Sequence, residues 1–212
     1  MFRTAAAGLL CVALGGCTQV VDDARPRAVV PVAPITAGQV GGLLSDRTAP
    51  EHESNLFVTV EPERCAGLAQ EVDPPFIFSR TPAAHDGGQF YGDPARTVSV
   101  QQMAAVYRAD FDTAAAVDEV RRTIDACRED DLAVITMEGK TIQFRLLPAR
   151  ESGSAQIVLW SITGGWSCDN AFVAAHNAAV ELTACAQKSG FDVLSVARDA
   201  LQRINTLADM TV

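Results

Sequence analysis

The order of elements predicts an α+β fold: an antiparallel β-sheet, mostly a meander, with two long helices packed on one face and two disulfides. Three observations lead there. Strand-like segments come in a run, with helix-like segments before, between and after them. Two stretches, from Phe111 and from Phe191, carry an apolar stripe at helical spacing. Four cysteines, Cys65, Cys127, Cys168 and Cys185, lie in the globular part of the sequence, and their spacing suits pairing between elements.

Residues 36–46 read as a short helix weakened by Gly38, Gly41 and Gly42, and residues 63–69 as another around Cys65. Asp73-Pro-Pro and His85-Asp-Gly-Gly read as loops. From Thr97 to Tyr107 the chain alternates Val98, Val100, Ala104 and Val106 with Ser99, Gln101 and Met103, a half-buried strand. Asp112 is placed as N-cap of a helix from Thr113, whose stripe is Val117, Val120, Ile124 and Cys127. Leu132 to Met137 and Lys140 to Leu147 form a hairpin about Glu138-Gly139. Ala155 to Thr163 is a strand that Gly164-Gly165 turns into Trp166 to Ala175, which turns again into Ala178 to Cys185. An amphipathic helix from about Phe191 to Ala208 ends the domain, with Leu194, Ala197, Leu201, Ile204 and Ala208 on its stripe.

The last hairpin specifies one disulfide. A two-residue turn at His176-Asn177, where Asn tolerates positive φ, sets Cys168 and Cys185 directly opposite each other. Counting outward from the turn makes them a non-hydrogen-bonded pair, whose Cα atoms lie near 4.5 Å, within disulfide reach. The same register puts Ala171, Val173, Ala175, Ala178, Val180, Leu182 and Ala184 on one wholly apolar face. Cys65 and Cys127 pair by elimination, and the stripe turns Cys127 towards the core.

The chain has 212 residues, 48% hydrophobic and 20% charged, a globular composition for one domain. Seventeen basic against twenty-six acidic residues leave a net charge of −9, with no basic cluster, which speaks against nucleic acid and anionic lipid headgroups as partners. The N-terminal run MFRTAAAGLLCVALGGC is too short to span a bilayer. Arg3, the apolar core and the small residues before Cys17 form a secretory signal pattern. Leu14-Gly15-Gly16-Cys17 resembles the bacterial lipobox, which implies cleavage after residue 16 and diacylation of Cys17. The expected organisation is a signal peptide over 1–16, a lipid-anchored tether over 17–35 with Pro26, Pro31 and Pro34, and one domain over 36–212. Two acyl chains give stable attachment, so the membrane is reached by the anchor alone, on the outer face of the cell membrane.

From about Thr97 onwards, a strand leads to a helix ending in cysteine, then a meander, then GGWSCDNAFVAAHNAAVELTAC and a final helix. The Gly-Trp-x-Cys lead-in, the turn with its asparagine and the second cysteine resemble the PknH-like extracellular sensor domain family of mycobacteria. The helix ITAGQVGGLLSD and the Pro-Glu-Arg-Cys65 segment fit its N-terminal half. That domain is the outward-facing part of a receptor serine/threonine kinase and also occurs alone in lipoproteins. The resemblance implies a sheet backed by helices with two disulfides, acting as a sensor or ligand-binding module. The family usually carries a basic residue after Trp-x-Cys. Here Asp169-Asn170 stands instead, so a ligand contact made by that residue would be absent.

No H-E-x-x-H, G-x-S-x-G, P-loop or CxxC pattern occurs, so no catalytic site, metal or cofactor is expected. His52, His85 and His176 all read as solvated loop residues, and Asp110 and Asp112 as helix-start acids. Trp160 and Trp166 flank the Gly164-Gly165 turn. They serve either as packing residues or as the aromatic wall of a cleft on the helix-free sheet face, shared by strand parity with Tyr107, Met103 and Arg145. The function expected is a non-catalytic, lipid-anchored sensor of an unknown small molecule or envelope lipid, with no protein partner indicated. Two alternatives stand beside it. One is an envelope hydrolase with carboxylates dispersed in sequence, and the other is an interaction protein using an exposed sheet face.

Overall fold

The computed structural model describes residues 33–47, 55–188 and 190–210. All of them lie in one compact unit spanning Pro31–Val212. The signal segment, Cys17, nearly all of the expected tether and His52 fall outside the described residues. Ile35, at the end of that tether, is fully buried and belongs to the folded body.

A 3-10 helix over Ala37–Leu43 is followed by β1 (Phe57–Glu61), a second 3-10 helix (Glu63–Leu68) and α1 (Pro75–Phe78). Then come β2 (Ala84–Tyr91), β3 (Ser99–Val106), α2 (Thr113–Ala126), β4 (Asp131–Thr136) and β5 (Thr141–Leu146). The chain ends with β6 (Ile157–Gly164), β7 (Ser167–Ala175), β8 (Ala178–Ala186) and α3 (Val193–Met210). The strands form one curled, wholly antiparallel sheet of eight, in the order β1-β4-β5-β6-β7-β8-β3-β2. Strands β4 to β8 are the expected meander. The α+β fold, the Asp112 cap on the Ala115 amide at 2.9 Å and both disulfides follow the sequence reading.

The hairpin register is as derived: Ala175 faces Ala178 and Cys168 faces Cys185, with Cα atoms 4.1 Å apart. The turn differs in detail, because positive φ falls on His176, at 52°, and not on Asn177. Asn177 is buried, and its side chain does other work. Its Oδ1 accepts the Ile35 amide at 2.9 Å, while Nδ2 donates to the carbonyls of Ile35 and Tyr107, each at 2.8 Å.

The two long helices do not share a face, contrary to expectation. Helix α3, with the first 3-10 helix, covers the face made by Ile157, Leu159, Ala171, Val173, Val180 and Leu182. Helix α2, with α1 and the second 3-10 helix, covers the face made by Val158, Trp160, Ile162, Phe172 and Ala174. The cause lies in the central strands. Every residue of β7 is buried, and from Ala171 to Ala175 both of its faces are apolar, so each needs a cover. Among the described residues, neither face is helix-free over the middle of the sheet. The segment around His85-Asp-Gly-Gly is also no loop but the edge strand β2, paired along its whole length with β3.

Candidate functional site

The five residues grouped as a cleft wall do not come together. Trp160 is 1% exposed, within the core under α2. Its Nε1 donates to the Leu68 carbonyl at 2.8 Å, and its ring meets Phe76 edge-on. Tyr107 is buried at the end of β3, stacked on Phe111 with its hydroxyl donating to the Ile77 carbonyl at 2.8 Å. Met103 packs at the margin of the same core. Arg145 is exposed and bridges to Asp131 across the β4–β5 pair at 2.8 Å. Only Trp166, 42% exposed, borders an open cavity.

That cavity, about 230 Å³, opens on the α2 side of the sheet, beyond the part that α2 covers. Phe57 of β1, Thr136 of β4, Ile142 of β5, Ser99 and Gln101 of β3 and Cys185 of β8 contribute to its wall, and Trp166 stands at its rim. β1 and β3 are six places apart in the strand order. Curling of the sheet is what brings both to one hollow.

Glycine positions the tryptophan. A Cβ on Gly164 would lie 1.9 Å from the Gln143 carbonyl oxygen, so β5 and β6 approach closely only with glycine there. The Gly164 amide then donates to the Trp166 carbonyl at 2.7 Å, closing the turn that presents the ring.

Among the described residues, one charged group enters the wall, Glu71, on the connection after the second 3-10 helix. Its backbone amide donates to the Phe57 carbonyl, and its Oε2 accepts the Phe57 amide, both at 2.9 Å. Burial pushes its pKa up to about 7, against the lowering effect of the Phe57 amide. On the same sheet face lies Glu181 of β8, 5% exposed. Desolvation, then the neighbouring Glu71 charge, raises its pKa well above the usual carboxylate range. Glu181 Oε2 and Asn170 Oδ1 are buried without a hydrogen-bond partner among the described residues. Among the described residues, no Lys, Arg or His lines this cavity.

Sequence reasoning passed over both acids. Glu181 left a signal, a single acid inside the apolar strand AAVELTAC. Glu71 left none, since its place depends on how the segment after Cys65 docks on β1. Asp169, which follows the Trp-x-Cys lead-in, points to the opposite face. It accepts hydrogen bonds from Ser161 Oγ at 2.6 Å and from the Gly190 and Phe191 amides at 3.0 and 3.2 Å, tying the approach to α3 down to β7. The sulfurs of Cys65 and Cys127 lie near the Asp130 carboxylate, but they are joined in a disulfide and are not available as thiolate ligands.

No described helix is long and apolar enough to cross a membrane. No curated protein matches the chain. Among solved structures, the extracellular domain of PknH from Mycobacterium tuberculosis matches with a TM-score of 0.64 and 20% identity, over 82% of this chain and 98% of that one. At this identity the likeness is one of fold. A putative uncharacterized protein from Mycobacterium smegmatis matches at a TM-score of 0.32 and 12% identity, over 84% of this chain and 97% of that one. The PknH-like extracellular domain family matches residues 25–203, most of the chain and both disulfides. The resemblance read from the Gly-Trp-x-Cys region therefore holds, and with it an extracytoplasmic location: the chain belongs to the PknH-like extracellular domain family.

Proposed function

We propose that the chain is an exported, lipid-anchored sensor domain that binds a small ligand in the cavity beneath Trp166 and does no chemistry on it. The single observation behind this is the cavity itself: an aromatic rim, a largely apolar lining with a few polar side chains, and a buried, incompletely satisfied carboxylate on the same sheet face. Concave sites of this kind, apolar with a few convergent polar groups, are where small ligands bind. Cys17 supplies the anchor, and attachment at the N-terminus leaves the folded body outside the membrane.

One observation favours a second reading. Two carboxylates with raised pKa beside a cavity are a common acid–base arrangement. A glycoside-cleaving pair, however, needs both carboxyls at the scissile bond, one on each side. Glu71 reaches the cavity wall, whereas Glu181 does not line it. Binding without turnover is the better fit.

The test is a titration of the lipidated protein with a fractionated envelope extract, followed by tryptophan fluorescence. Saturable change that disappears in Trp166→Phe is expected. No change with any fraction would sink the reading. Release of product from the bound fraction, abolished by Glu71→Gln, would instead favour the hydrolase.

A further inference from the structure

We propose that the cavity beneath Trp166 takes an organic ammonium group, with Glu71 as its counter-charge and the Trp166 ring across its mouth. The inference rests on that cavity being the ligand site and names the chemical class it accepts.

Charge balance comes first. Among the described residues, the wall holds one carboxylate and no basic side chain. Glu181, on the same sheet face, adds a second carboxyl whose Oε2 has no partner among the described residues. An anionic ligand would meet repulsion here. A neutral one would leave the desolvation of Glu71 uncompensated. A cation offsets it, because opposite charge within a few ångströms favours the ionised carboxylate.

The shape then selects an organic cation over a bare metal ion. Among the described residues, no group of three or more ligand side chains converges on this cavity. Much of the lining is instead apolar, with Trp166, Ile142, Leu56 and Phe57. A tryptophan face attracts a cation by its quadrupole, and the aliphatic surface takes the carbon body. Oε2 of Glu71 already accepts the Phe57 amide, so Oε1 is the oxygen for an ammonium N–H, and the side-chain oxygens of Gln101 and Thr136 stand on the same wall.

The titratable surroundings give the proposal a signature. Glu71 faces Glu181 of β8. Glu181 also faces the Tyr107 phenol, which burial holds protonated and which the Arg80–Glu119 pair flanks from the α1–α2 side. None of these groups lines the cavity, so Glu71 is the carboxylate that meets the ligand. The ammonium binds the ionised form, so binding expels a proton from Glu71. Affinity therefore rises with pH, by roughly tenfold between pH 6 and pH 8, and levels off once Glu71 is ionised.

The experiment compares n-hexylamine, 1-hexanol and hexanoate, which share one carbon chain, on the full-length protein by calorimetry in two buffers of different ionisation enthalpy. Hexylamine is expected to bind at least tenfold more tightly than the other two, to release a proton at pH 6.5, and to lose at least tenfold in affinity in Glu71→Gln. Equal binding of hexylamine and hexanol, or hexylamine binding that Glu71→Gln leaves unchanged, would overturn the ammonium assignment. If envelope fractions still quench Trp166 while hexylamine fails to bind, only that assignment falls. If the fractions fail too, the ligand site falls with it. Vesicles of phosphatidylethanolamine against vesicles of phosphatidylglycerol separate the sources. A Trp166 response to the first alone supports the proposal with a lipid amine as source. A response to the second alone overturns it. If neither responds while hexylamine binds, a free amine is the ligand.

Discussion

Glu71 is held in place by its own backbone. It exchanges hydrogen bonds with Phe57 through both its amide and its carboxylate, so the side chain cannot swing to bulk water without breaking the join to β1. Its pKa near 7, against 4.5 when unperturbed, means that the folded state keeps a proton the unfolded state has lost. Stability should therefore fall as pH rises from about 4.5 to about 7 and be flat with respect to this group above that. The whole change is at most about 3 kcal/mol. Glu181 acts with the same sign. Urea unfolding across this range should give a shallower decline for Glu71→Gln than for the wild type. An identical slope would mean that the Glu71 pKa is not raised. Asn177 makes a related point. Its position in a hairpin turn was legible, but its purpose was not. The amide holds Ile35 and Tyr107 together, and those partners are 142 and 70 residues away in sequence.

At the scale of elements, the two disulfides stabilise different things. Cys168–Cys185 joins neighbouring strands whose register the apolar face already specifies, since a slip of one residue would turn that face outward. Cys65–Cys127 spans 62 residues and joins the second 3-10 helix to the end of α2. In the chain-entropy model this is worth roughly 4 kcal/mol. The same segment leads into Glu71 and docks on β1, an edge strand of only five residues. Replacing both Cys65 and Cys127 by Ala should raise hydrogen exchange in residues 57–72 well before β6 to β8. It should also weaken binding at the cavity. Simultaneous loss of protection in both regions would show a single cooperative unit that does not depend on this bond locally. The helices teach a different lesson. Each stripe was legible, but the sheet face it seeks was not, because a β7 that is apolar on both sides offers two. On α3 the buried set, Val193, Val196, Ala197, Ala200, Ile204 and Ala208, is turned slightly from the expected stripe, leaving Leu194 and Leu201 only partly buried.

For the whole molecule, a sensor at the cell surface needs both its address and its cavity. The proposed address rests on Cys17, which lies outside the described residues. Cys17→Ala should move the protein from the detergent phase to the aqueous phase or stop its maturation. Normal processing with unchanged membrane partitioning would sink the lipid anchor. The cavity, by contrast, belongs to the folded body and should bind equally well after the anchor is removed.

The meander, its register, both disulfides and the family were readable from the chain alone. They rest on local periodicity, on a two-residue turn whose geometry counts outward without ambiguity, and on cysteines few enough to pair. The edge strand β2 escaped that reading because Asp86, Gly87 and Gly88 carry turn chemistry, and only pairing with β3 holds them extended. The candidate site escaped it as well. Trp166 was singled out, but Glu71, Ser99 and Thr136 become its neighbours only when the sheet curls and carries β1 and β4 round towards β3. Strand parity tells which face a side chain takes. Curvature decides which distant side chains share a hollow, and it accumulates from the twist between neighbouring strands across the whole sheet.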